Sequence, residues 1–417
     1  MKALVYLLLL ATPALAQDFG KNEKSRIIDS ISQKLKTLYV YPEVAEKMSK
    51  QLYTNAGNGQ YANIKDPVAF ADRLTTDLLA VSHDKHLRVY FDPRPIEKHP
   101  VMENNPDIAR AKNFGFKEVK ILDGNTGYLN LSYFEDPAIG GATAATAMNF
   151  LSNADAVIID LRNNGGGSTD MVQLLASYFF EGEPQPLTDI YWRPTNHLTQ
   201  YKTLPYVPGK KMPRVEVYLL TSQQTFSAAE DFSYSLQNLK RVTIVGETTG
   251  GGAHPIEQAE ASDHFFITIP EGRSISTITK TDWEGTGVKP DVLVAAKDAL
   301  LTAQLKVLSK APADNMPAQW ALMAIKAKLN PVTIAPDSLK SYTGTYGGRM
   351  ISLENGQLYY SKVGGPKTRL IPMENDLFSM EDKDYLRIRF VRKNGEITGF
   401  TRLFEDGAAE TSLKDVL

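Results

Sequence analysis

The apolar positions near the start of the chain recur every three to four residues. Ile27, Ile28, Ile31, Leu35 and Leu38 form one stripe, so the stretch from about Glu23 to Ala80 reads as helical. Pro42 and Pro67 each open a further helix, because proline fits the first helical turn, where its missing N–H is not needed. Before the second of these, Asp66 is placed to cap the helix, and Phe70, Leu74 and Leu78 continue the buried stripe. From about Leu87 to Leu300 the pattern changes to short apolar runs alternating with helical periodicity, the signature of a layered α/β domain. GYLNLSYF from Gly127, AVIID from Ala156, the run Val215 to Leu220 and the run Val242 to Val245 read as strands. AVIID has no polar alternation, as expected of a strand covered on both faces. Between the last two strands, Ala228, Phe232, Leu236 and Leu239 stand at helical spacing, so Ser227 falls where a helix begins. After about Ala311 a proline-containing, helix-like linker leads to a segment from Pro336 in which Asn355-Gly356 and Asn394-Gly395 signal hairpins, as in a small all-β domain.

This layout sets the expected organisation: a signal peptide over 1–16, a helical region over 20–85, the α/β domain over 86–310, a linker over 311–335 and a β domain over 336–417. The signal peptide is expected because MKALVYLLLLATPALAQ has one lysine, an apolar run too short to span a bilayer, and Ala14-Leu15-Ala16 as the cleavage pattern. The mature chain is then expected in the periplasm or outside the cell, with cleavage after Ala16. With 46 Lys plus Arg against 48 Asp plus Glu, the charge balance calls for neither nucleic acid nor an acidic membrane. The absence of cysteine excludes disulfides, thiolate catalysis and a lipid-modified N-terminal cysteine.

Three features carry candidate chemistry. In DLRNNGGGS, Asp160 to Ser168, the Gly165 to Gly167 run frees the backbone to turn and to aim N–H groups at an anion, or else simply joins a strand to a helix. In TSQQTFSAAED, Ser227 precedes an amphipathic helix, as a nucleophile helped by the helix N-terminus and the Ala228 N–H, or as an ordinary N-cap. A serine nucleophile needs a base, and the histidines are His83, His86, His99, His197, His254 and His264. His86 lies where the helical region meets the first strand. None of the histidines has the spacing of a zinc motif, and neither a metal nor an organic cofactor is expected.

Taken in order, DLRNNGGG, TFSAAE, VGETTGGG from Val245 to Gly252 and GTGVKPD from Gly285 to Asp291 resemble the C-terminal-processing or tail-specific proteases, the tricorn protease core and the repeats of interphotoreceptor retinoid-binding protein. The resemblance covers roughly Leu74 to Ala296 and implies a crotonase-like core. It places the nucleophile on Ser227 and the oxyanion-hole donors on the glycine turn, at Gly166 and Gly167, and on Ala228. The lysine base of the tail-specific branch would fall on Gly252, so that dyad is absent. The tricorn-like pattern instead places a histidine base on His86, in Asp84-Lys85-His86, and its carboxylate partner on Glu284. Asp-Lys-His stands where Asp-Gly-His is usual. The roughly 30 residues between Phe91 and Ile121 are too few for a PDZ domain. The implied activity is a secreted serine peptidase acting on peptide or protein substrates. The alternative is a non-catalytic binding module for an apolar ligand or peptide.

Overall fold

The computed structural model describes residues 19–94 and 106–415, so the expected signal peptide and His99 lie outside the described residues. The chain forms two compact units. The first holds the described residues up to 94 together with 188–200 and 252–285, and the second holds the rest.

In the first unit, helices Lys21–Leu38, Pro42–Gly57 and Pro67–Ser82 follow one another. The Asp66 carboxylate accepts from the Val68 and Ala69 N–H groups at the head of the third, as its sequence signal predicts. Strands Arg88–Phe91 and Ile256–Glu260 flank Phe265–Pro270 in an antiparallel sheet. The helices bury Ile27, Ile31, Leu35, Phe70, Leu74 and Leu78 with Phe265, Ile267 and Ile269 of that sheet. Burial of such side chains stabilises by about 1.5–3 kcal/mol each, so the helices depend on strand residues almost two hundred positions away. A second small sheet pairs Gly272–Ser276 with Pro186–Trp192, which in turn neighbours His197–Lys202.

The second unit is built on a six-stranded sheet in the order Val292–Leu293, Thr243–Gly246, Glu216–Thr221, Ala156–Asp160, Thr126–Leu131 and Phe116–Leu122. All pairs are parallel except the last. Every residue of Ala156–Asp160 is buried. Tyr128, Ile158, Tyr218, Leu220 and Val245 pack on Ala299 and Ala303 of helix Ala299–Leu308, which covers one face; Val157 and Ile159, on the opposite face, are buried as well, so polar alternation is lacking. Because parallel strands end on one edge, the turns after Asp160 and Thr221 emerge side by side. The sheet is the crotonase-like core, in the mixed α/β form expected.

The C-terminal part is an antiparallel half-barrel of eight strands paired in chain order from Gly344–Thr345 to Ala409–Leu413. Both Asn-Gly signals are its hairpin turns, with positive φ at Asn355, Gly356, Asn394 and Gly395 as type I′ geometry requires. Tyr342, Tyr346, Phe378, Phe390 and Phe400 fill its core. The segment expected as a linker carries helix Met316–Leu329, whose Trp320 ring lies 3.6 Å from the Arg387 guanidinium of the half-barrel. Among the described residues no helix is long and apolar enough to cross a membrane.

Candidate active site

The site residues fall into a serine cluster in the second unit and a histidine–carboxylate cluster in the first.

Strand Glu216–Thr221 runs into a turn, and helix Ala228–Asn238 begins directly after Ser227. Ser227 occupies the N-cap position, but its backbone, at φ 52° and ψ −122°, is far from the extended conformation of an ordinary cap. A non-glycine residue held there costs about 1–3 kcal/mol, and such strain persists only where the surroundings over-determine it. Glu230 supplies much of that constraint. Its fully buried carboxylate accepts from the Ser227 N–H at 3.0 Å, the Gly251 N–H at 2.7 Å and the Thr249 hydroxyl. Upstream, the Thr225 hydroxyl donates to the Leu161 carbonyl and the Phe226 N–H to the Asn164 carbonyl. The serine is thus pinned from both sides to the turn that follows Ala156–Asp160.

That turn is the glycine run. Buried Asn164 donates to the Leu131 carbonyl and accepts from the Gly166 N–H, both at 2.9 Å. Gly166, predicted as an oxyanion donor, therefore has its N–H committed to Asn164. What it contributes is room: at φ 112°, a Cβ there would lie 2.7 Å from Ser227 Cβ and 3.1 Å from the Ala228 nitrogen. Gly167, at φ 135°, continues the turn against Phe134. Among the described residues the Gly167 and Ala228 N–H groups meet no hydrogen-bond acceptor. The structure therefore brings Ser227, Ala228 and the glycine turn together.

In the first unit, His83 closes helix Pro67–Ser82 in the left-handed conformation. Buried Asp84 follows, accepting from the His86 N–H at 3.1 Å and the Tyr39 hydroxyl at 3.3 Å. Its Oδ2 lies 2.6 Å from His254 Nδ1. Glu284 Oε2 accepts from the Ala253 N–H at 2.6 Å and stands 3.5 Å from the same His254 nitrogen. Nearby, the Trp283 indole N–H donates to the Gly252 carbonyl. His86 and Glu284, predicted as base and partner, do share this cluster, with side-chain polar atoms of Asp84, His86 and Glu284 all within 4.8 Å of one another. His254, which the sequence reading left without a role, is at its centre. Its signal was its place two residues after the VGETTGGG motif.

Burial sets the charge states. It drives His86 down to about 4, overriding the opposing pull of Asp84. It drives Glu284 up to about 7 despite the lowering influence of His254. For His254 burial is outweighed by the Asp84 hydrogen bond and by Asp84 and Glu284 charge, and its pKa is raised. The raised Glu284 value favours folding below the ordinary carboxylate pKa, and this contribution is lost as pH rises from 4.5 through about 7. Glu284→Gln should therefore match the wild type in unfolding free energy near pH 4.5 and exceed it above pH 7.5 by an increment on the order of 2 kcal/mol. Melts at the two pH values check this; an equal difference at both would refute it.

A model of peptidase family S41 matches residues 125–294, and a model of the N-terminal domain of peptidase S41 in eukaryotic IRBP matches residues 21–114. The chain belongs to peptidase family S41, a family of serine-type peptidases. It is similar to the tail-specific protease of Haemophilus influenzae, 28% identical over 141 residues, which are 32% of this chain and 16% of that protein. It is also 28% identical over 170 residues to the carboxyl-terminal-processing protease of Synechocystis sp., covering 41% of this chain and 38% of the relative. The chain thus spans less than two fifths of the length of these curated relatives. A solved structure from Parabacteroides merdae shares the fold, with a TM-score of 0.50 at 18% identity over 69% of this chain and 98% of that one.

Proposed function

We propose that this S41 chain is a secreted serine peptidase that cleaves peptide bonds by acyl transfer. Ser227 Oγ attacks the carbonyl carbon, and its proton passes to His86, the base that the family resemblance favours, with Glu284 as the carboxylate that stabilises the imidazolium. The oxyanion that forms is bound by the Gly167 and Ala228 N–H groups, each worth about 3 kcal/mol in comparable sites. The imidazolium then protonates the leaving amine, and water releases the acyl group by the same steps in reverse. The observation that carries this reading is the strained backbone of Ser227, fixed beside two backbone donors that meet no other acceptor among the described residues. An ordinary helix cap needs neither feature.

The substrates this implies are peptides or proteins, and the N-terminal pattern of one lysine, an apolar run and Ala14-Leu15-Ala16 supports export. A fluorophosphonate probe tests the nucleophile. The full chain should gain one phosphonyl group, located on Ser227 by peptide mass mapping. Absence of labelling, or labelling at another serine, would sink the assignment and leave a binding role on the same fold.

A further inference from the structure

Two carboxylates converge on one ring nitrogen. Asp84 Oδ2 and Glu284 Oε2 lie 2.6 and 3.5 Å from His254 Nδ1, and the His254 side chain is only 3% exposed. Asp84 is buried and Glu284 partly buried, and carboxylates this close would repel each other in a medium that screens them weakly. A protonated imidazole offsets that repulsion by its charge; Nδ1 carries one hydrogen toward the carboxylates, and the second proton sits on Nε2, on the side of the Tyr41 hydroxyl.

The ring has little freedom to leave. The Ala253 N–H donates to Glu284, the Ala253 carbonyl accepts from the Ser274 N–H, and the Pro255 carbonyl accepts from the Glu271 N–H. Tyr41 packs edge-on against the ring, with its hydroxyl 3.5 Å from Nε2. Asp84 in turn holds the His86 backbone through its other oxygen. The charged and titratable groups facing this arrangement are Asp84 and His86 from the helix-to-strand junction, Asp282 and Glu284 from the segment after Ser276, and Tyr39 and Tyr41 from behind the first helix. Arg273 acts on Tyr41. The carboxylates outnumber the cations, which is the setting in which a histidine keeps its proton.

We infer that His254 is a positioning residue of the reaction proposed above, its ring tying the Asp84 carboxylate, and through it the His86 backbone, to the carboxylate of Glu284. The role rests on the peptidase reading; the tie itself does not. With His254 in place, Glu284 stays available as an anion nearer neutral pH and can stabilise the imidazolium formed when Ser227 gives up its proton. Without that charge, Glu284 takes up a proton at higher pH and the support is lost.

His254→Asn keeps an N–H donor but removes the charge. It should move the acid limb of the kcat/KM profile up by about one pH unit and lower the rate at pH 7 by about fivefold. A merely structural loss would lower the rate at every pH and leave the limb where it was. Nitrogen-15 imidazole spectra of the full chain supply a readout independent of turnover, with the His254 signals assigned by their disappearance in His254→Asn. At pH 7 the wild type should show both His254 nitrogens protonated, and Asp84→Asn should return the ring to the neutral form. An unmoved acid limb, or a neutral His254 ring at pH 6.5 in the wild type, overturns the inference. If the wild type neither labels at Ser227 nor turns over peptides, the peptidase reading fails, and the spectra still decide whether the tie exists.

Discussion

Replacement of Ser227 by alanine is expected to lower kcat on a peptide substrate by about 10⁴-fold or more, with the melting temperature changed by no more than a few degrees. The two parts of the expectation have different origins. Activity is lost because the attacking oxygen is gone, and the oxyanion donors retain only the residual acceleration they give to water. Stability is kept because the tie to Glu230 is made by the backbone N–H of residue 227, which alanine also possesses. Steady-state kinetics and melts on the same preparation read both. A variant retaining a tenth of wild-type kcat would place the nucleophile elsewhere.

Gly167→Ala should be among the most damaging single methyl groups in the second unit. A Cβ at residue 167 would lie 2.1 Å from the Phe134 carbonyl oxygen and 2.7 Å from its carbon, at a φ of 135° that side chains rarely adopt. Phe134 cannot withdraw cheaply. Its N–H donates to the Gly166 carbonyl at 2.8 Å, and its carbonyl accepts from the Ser168 N–H at 2.7 Å. Loss of about 4 kcal/mol or more is expected, enough to appear as a large drop in the urea midpoint or as failure to accumulate folded protein. Gly165→Ala is the matched control. A Cβ at 165 meets nothing within 4 Å, so its unfolding midpoint should stay within about 1 kcal/mol of the wild type. Equal damage at the two positions would mean that the turn is not packed as described.

What was legible in the sequence was what local rules govern. Asp66-Pro67 starts a helix whatever surrounds it, Asn-Gly turns a hairpin because both residues tolerate positive φ, and AVIID announces a doubly covered strand. Strand order was not legible, because Ala156–Asp160 pairs with Glu216–Thr221 across a connection longer than either element. The same limit applies to the site. Ser227 beside its glycine turn could be foreseen from motif order, whereas the meeting of Asp84 with His254 spans 170 positions and leaves no periodic trace. Glu230 was hidden for a different reason. A glutamate three residues after a serine suits a capping pattern, and nothing local says that its second oxygen reaches Thr249 and Gly251.

The Glu230 carboxylate also has a bearing on how such a chain can diverge. It joins residue 227 to the 249–251 loop at full burial, so aspartate, one methylene shorter, cannot span both, and glutamine must turn an NH₂ toward donors that need an acceptor. Drift at position 230 is therefore closed unless 249 changes in the same lineage. Two short segments 19 positions apart thus form one structural module, and a graft that transplants the serine turn without its distant loop would carry over the residue but not its conformation.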